Sequence, residues 1–251
     1  MRLQSDKIMS YAWILVYVIP IIAAILIVLS ISLIVITDVT IGPPGPIPSP
    51  TFTFMPILIW ALLPIVAIIG FIVSIILIYM LIERRNAHFK RQIFLFEDVI
   101  TAVRAIVAKK GVNADIELAS CERTLREAKA EETGKSAVLW AILSAFIFLA
   151  DWYVRYFLMK DFYKHERRED GFWEDINKAL DKCNLKLSIP RRIIILPDRS
   201  FVLYLILTII TVGIFGIYWL YVLLKDPNEH FEYHIKIEDQ LLSTLETTVA
   251  L

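Results

Sequence analysis

The chain has no CxxC pair, no Gly-rich phosphate loop, no nucleophile elbow, no paired catalytic carboxylates and no Asn-x-Ser/Thr acceptor. Those absences remove the phosphoryl-transfer, serine-hydrolase and zinc-finger classes, and they give no reason to expect glycosylation. Its two cysteines, Cys121 and Cys183, lie far apart with no metal-ligand spacing around them, and read as reduced thiols rather than a disulfide. The most informative absence is charge. From Val39 to Ile82 there is not one Asp, Glu, Lys or Arg, whereas Glu83 to Lys135 carries eleven Lys or Arg. Formal net charge is zero and 57% of residues are hydrophobic, so the segregation describes an all-α integral membrane protein with water-exposed lobes.

Ile8 to Thr37 is a thirty-residue uncharged run behind Arg2, Asp6 and Lys7. A bilayer core about 30 Å thick needs roughly 20 helical residues, so the run spans it with length to spare. It exceeds the apolar core of a cleaved signal, about 7–15 residues, and reads as a retained anchor in which Pro20 makes a kink. Ile41 to Pro50, IGPPGPIPSP, is too rich in proline for a helix, and the segment 38–52 is expected as a stiff external loop. Thr53 to Ile82 is the second spanning helix, broken in character by Pro56, Pro64 and Gly70. The loop has no Lys or Arg, while both outer ends do, so this transmembrane hairpin (1–82) has its amino terminus in the cytoplasm of a plasma-membrane, multi-pass protein.

Two further membrane segments follow, at 136–159 and 200–224. Ser136 to Ala150 is uncharged, and then Asp151 and Arg155 intervene at i,i+4, an intramembrane polar pair expected to neutralise itself near the interface. Ser200 to Leu224 is uncharged for twenty-five residues. If both segments cross, the lobe between them carries ten Lys or Arg outside, against the orientation rule. If each dips in and returns, all basic lobes stay inside.

A repeated phrase favours re-entry. YMLIERRNAHF (Tyr79 to Phe89), YFLMKDFYKHE (Tyr156 to Glu166) and YVLLKDPNEHF (Tyr221 to Phe231) each read Tyr-x-Leu-apolar, two charges, three residues, His. The pairs Tyr79/His88, Tyr156/His165 and Tyr221/His230 share one spacing, as three similar exits through one interface would. The bland alternative is that any cytoplasmic helix end combines Tyr with Lys or Arg. Glu97-Asp98 and Glu174-Asp175 follow His88 and His165 at nine residues, and Glu238-Asp239 follows His230 with a slip of one. Nine residues along one helix face opposite ways, so no single helix makes a metal or catalytic site of them. His88, His165, His230 and His234 are read as scattered, and no catalytic, cofactor or metal set is expected.

Beyond Arg85, Phe89, Ile93, Phe96, Ile100, Val103 and Val107 form one apolar stripe ending at Lys109-Lys110-Gly111. Asn113 or Asp115 caps a second helix to Glu131. A third helix, in the connecting lobe 160–199, carries Phe172, Trp173, Ile176, Leu180 and Cys183, and IIIL at 193–196 reads as extended. The tail 225–251 carries Ile235, Ile237, Leu241, Leu242 and Leu245. These amphipathic pieces are expected to pack into a small helical domain beneath the membrane, near anionic head groups.

TVGIFGIYWLYVLLKDPN, Thr211 to Asn228, resembles a family of small prokaryotic membrane proteins of unknown function that share a Thr-x-Gly-Ile-Tyr-x-Ile-Tyr-Trp phrase. Arg199 stands where the family has a basic residue, and Phe215 replaces the usual first Tyr. The resemblance covers about residues 199–228, implies membrane residence and brings no site residues with it. The expected function is a non-enzymatic membrane scaffold or accessory protein that contacts lipid and self-associates or binds another membrane protein, with no nucleic-acid partner. The alternative is an oligomeric transporter or channel for ions or small solutes using Asp151 and Arg155.

Overall fold

The computed structural model describes residues 5–40, 50–187, 192 and 195–249, and among these it is all-helical, with no strand. A short 3-10 turn, Tyr11–Ile14, leads into α1 (Leu15–Thr40). The other helices are α2 (Pro50–Lys110), α3 (Asp115–Glu131), α4 (Ala137–Phe146), α5 (Phe148–Lys182), α6 (Phe201–Ile210) and α7 (Ile214–Val249). The proline-rich stretch 41–49 lies outside the described residues, as do Ile193 and Ile194. Two helices are long and apolar enough to cross a membrane, with windows at Tyr11–Ser32 and Pro64–Lys110.

α2 spans 61 residues, and its course from Gly70 to Lys110 is uninterrupted because no Gly or Pro falls between Gly70 and Gly111. Gly111 ends it at φ 65°, and the Val112 amide donates back to the Val107 carbonyl. Pro20 sits inside α1 without ending it and meets Gly70 of α2, where a Cβ would lie 3.8 Å from the proline ring.

The segment expected at 136–159 divides at Ile147, whose extended backbone (φ −122°, ψ 106°) reverses the chain between α4 and α5. Trp140 accordingly packs on Tyr153 and Phe157 of α5. α6 and α7 double back in the same way. Val212 and Gly213 turn the chain at φ 50° and 91°, the Thr211 hydroxyl accepts from the Phe215 amide, and Tyr204 packs on Phe215 and Trp219. In the Thr-x-Gly of the resemblance, Thr caps the outgoing helix and Gly adopts the left-handed backbone. Ser136 and Ser200 cap α4 and α6 by accepting from Leu139 and Leu203.

Two expected boundaries are corrected. The helix carrying Phe172 to Leu180 is the lower half of α5, not a separate element, since nothing from Phe148 to Lys182 breaks it. The tail is likewise continuous with α7, which passes through Pro227. That proline removes one helical donor, and the Leu223 carbonyl it would have served accepts instead from the Arg84 guanidinium at 3.0 Å.

The packing is layered along the helix axes. An upper apolar core gathers Leu77, Leu81, Val154, Phe157, Trp219 and Leu223. A thin middle layer holds Phe89, Phe162, Leu196 and Phe231. A lower core joins α2, α3, α5 and α7 through Phe96, Phe172, Trp173, Cys121, Cys183 and Ile237. Both cysteines are free and buried there, and burial pushes the Cys121 thiol up to about 12. Ile235 and Leu242, expected on the apolar face of the tail, are exposed instead.

Candidate metal centre

The histidines read as scattered converge at the level of the middle layer. His88 comes from α2, His165 from α5, and His230 and His234 from α7, and all four are at most 1% exposed. Helix periodicity within one element could not show this, because each repeated phrase contributes one histidine and the site forms between helices. The rings of His88, His165 and His230 make a nearly equilateral triangle, with centroids 5.0, 5.0 and 5.1 Å apart and planes inclined by 73–83°. The Nε2 atom of His88 lies 3.2 Å from Nε2 of His165 and 3.2 Å from Nε2 of His230.

The outer nitrogens of His88 and His165 turn to carboxylates. His88 Nδ1 meets Asp6 at 2.9 Å and His165 Nδ1 meets Glu132 at 3.0 Å, whereas His230 Nδ1 has the Arg192 guanidinium at 3.4 Å and Glu166 at 3.5 Å. Each carboxylate also has an arginine: Arg91 on Asp6, Arg168 on Glu132 and Arg192 on Glu166. Arg91 and Arg168 stand three residues after His88 and His165, one turn along the same helix face. The matching position after His230 is Tyr233, over whose ring Arg192 lies at 3.8 Å.

At the next position on that turn, Gln92, Glu169 and His234 follow the three histidines at four residues each. His234 Nε2 stands 2.9 Å from Glu169 and its Nδ1 3.4 Å from Glu238, while Trp173 donates to Glu169 at 2.8 Å. Burial alone would strip His234 of its proton, but Glu169 and Glu238 hold it up at about 9, an imidazolium at neutral pH. Burial would raise Asp6, yet His88 and Arg91 hold its carboxyl at about 2. Glu169, also raised by burial, is brought well below the carboxylate range by His234 and Arg192. Burial, with His234 nearby, keeps His230 neutral.

The four histidines offer ligand nitrogens within 4.8 Å of one another, and Asp6, His234 and Glu238 form a second such group. The remaining site residues from the sequence fall elsewhere. Arg155 Nε donates to Asp151 at 2.7 Å and also meets the Tyr17 hydroxyl. Tyr79 and Tyr156 are exposed, and Tyr221 packs on Tyr11. Glu97 and Glu174 pair with Lys129 and Lys178, away from the histidines. Asp6, Glu132, Glu166 and Glu169 carried no sequence signal as site residues, because their partners lie in other segments.

The polar residues of the phrases knit the same level. Arg85 binds Asp161 and the Thr133 carbonyl, Asn86 exchanges hydrogen bonds with the Lys135 backbone, and Arg84 binds Asn228. Asn228 in turn binds both the amide and the carbonyl of Met9.

A family model described as a domain of unknown function (DUF4234) matches residues 199–246. The match begins at Arg199, which pairs with Asp226, and takes in α6, the Thr211–Gly213 turn, His230 and His234. No curated protein and no solved structure matches the chain.

Proposed function

We propose that the chain is a non-enzymatic membrane scaffold inserted asymmetrically from the cytoplasmic side. In this reading α1 and the upper half of α2 form a spanning hairpin. α4 with the start of α5, and α6 with the start of α7, form two re-entrant hairpins in the inner leaflet. The observation that carries the reading is the length of α4 and α6. Ten residues rise about 15 Å, roughly half of a bilayer core, before the chain turns back. The turns bear bare apolar side chains, with Phe146 73% and Val212 91% exposed, as lipid-facing tips would be.

The lower lobes support the same orientation. Cys121 and Cys183 share one core, so residues on either side of α4 lie on one side of the membrane in this reading, and their Lys and Arg all face the cytoplasm. The plasma membrane supplies anionic head groups for them. Two hairpins in one leaflet add area to that leaflet alone, which is how a wedge favours curvature, and the exposed apolar faces of the spanning hairpin offer a surface for self-association or for another membrane protein.

The test is reconstitution into anionic vesicles. Constrictions or tubules without release of a trapped dye support the scaffold, and unaltered vesicles at high protein density count against it. A second reading, solute passage, rests on a cavity of about 660 Å³ lined by Tyr17, Gly70, Ser74, Asp151, Arg155 and Trp219. It requires dye or ion release that Asp151→Asn abolishes.

A further inference from the structure

We propose that His88, His165 and His230 bind one divalent first-row transition metal ion, of the zinc class, that ties the three helical pairs together at their common base. The inference rests on the histidine geometry and is independent of how deeply any hairpin enters the bilayer.

Hydrogen accounting carries the argument. His88 and His165 each place Nδ1 at hydrogen-bond distance from a carboxylate, so Nδ1 carries the proton in both. Their Nε2 atoms are then bare, yet they face each other at 3.2 Å with no hydrogen between them. Two lone pairs at that distance in a dry interior repel. If His230 donates its own Nε2 proton to His88, the contact between His88 and His165 is still left without one. A proton added on His88 reaches one neighbour, not both. A cation at the centre of the triangle serves all three nitrogens together.

The dimensions agree. Zn–N bonds of about 2.0–2.1 Å at tetrahedral angles place ligand nitrogens about 3.3–3.4 Å apart, against 3.2 Å on the two edges that meet at His88. The surroundings agree as well. A metal-bound imidazole ordinarily donates its other N–H to a carboxylate, which fixes its tautomer and orientation, and Asp6 and Glu132 are so placed.

Charge points the same way: the carboxylates of Asp6, Glu132 and Glu169 stand directly beside the three histidine rings, where a cation among the nitrogens is attracted. Gln92, fully buried one turn beyond His88, finds no hydrogen-bond partner for either amide atom among the described residues, so polar capacity remains for a water on the fourth coordination position.

All-nitrogen ligation without thiolate suits zinc, copper or nickel over the hard cations magnesium and calcium. The near-complete burial of the ligands, and their origin in three separate segments, make the ion structural. Binding it is then coupled to folding.

The experiment uses the full chain in detergent, stripped with a chelator, reloaded with Zn²⁺ or Co²⁺ and desalted. The expected result is one ion per chain, the intense visible spectrum of tetrahedral Co²⁺, and a higher unfolding temperature on reloading. Glu132→Gln keeps all three ligands and removes the carboxylate behind His165. It should weaken metal binding about 10–100-fold with unchanged helix content. His165→Gln should lose the tetrahedral spectrum. A folded wild-type chain that holds no ion, or that gives only an octahedral spectrum, overturns the proposal. So does one ion per chain persisting in a combined His88→Gln, His165→Gln and His230→Gln chain. Should the histidine variants fail to fold, wild-type stoichiometry, its spectrum and the Glu132→Gln affinity decide the matter.

Discussion

The guanidinium of Arg84 donates to the Leu223 carbonyl at 3.0 Å, the acceptor in α7 that Pro227 leaves without its helical amide. One repeated phrase therefore carries the helix breaker and another the side chain that offsets it. A double-mutant cycle measures this coupling. Arg84→Met leaves a buried carbonyl unpaired, whereas in a Pro227→Ala background the helix supplies its own donor. The penalty for Arg84→Met should be smaller by about 1–2 kcal/mol in that background, read from detergent unfolding curves. Equal penalties in both backgrounds would mean that the contact contributes nothing.

The turn between α6 and α7 gives a second prediction. Gly213 sits at φ 91°, and a Cβ there meets no atom within 4 Å, so the cost of a side chain is purely conformational. Gly213→Ala should destabilise the chain by about 1–3 kcal/mol, and Gly216→Ala, with ordinary backbone and a 3.8 Å neighbour, by less. Thermal unfolding of the two variants checks the order. The reverse order would place the strain elsewhere.

Asp226 predicts a dependence on pH. Burial pushes its carboxyl up to about 6, and the Arg199 guanidinium beside it offsets only part of that. The folded value lies above the unfolded one of about 4, so the folded state binds the extra proton between them. Ionised Asp226 therefore costs stability above pH about 6, and the cost is relieved as the pH falls toward 4. Relative to Asp226→Asn, the wild type should gain about 1–3 kcal/mol between pH 7 and pH 4. A difference that stays flat, or that shrinks, contradicts the shift.

Much of the fold was legible in the sequence because it follows from local rules. The gap in charge before Glu83, the unbroken stripe from Phe89 to Val107 and the Gly111 stop together read as α2, and Asp115 to Glu131 as α3. The reversal at Ile147 was less legible, since Phe-Ile-Phe contains no Gly or Pro to mark a turn. Continuity through Pro227 was hidden for the opposite reason, because the donor that rescues it lies in α2.

The three phrases themselves stood out, but their meaning did not. Periodicity correctly separates His88 from Glu97 on one helix, and it says nothing of His88 meeting His165 from another. Asp6, Glu132 and Glu169 sit in unremarkable charged stretches, and only the arrangement of the helical pairs brings them to the histidines.

Topology tests the central claim most directly. The native thiols are buried, so accessible cysteines have to be introduced at Lys186, Arg123 and Ser49 in a chain lacking Cys121 and Cys183, and intact cells treated with a membrane-impermeant maleimide. The account predicts that Ser49→Cys reacts at once, while Lys186→Cys and Arg123→Cys react only after the cells are opened. Reaction of Lys186→Cys in intact cells, with Arg123→Cys still protected, would put the lobes on opposite sides of the membrane and contradict the one-leaflet hairpins.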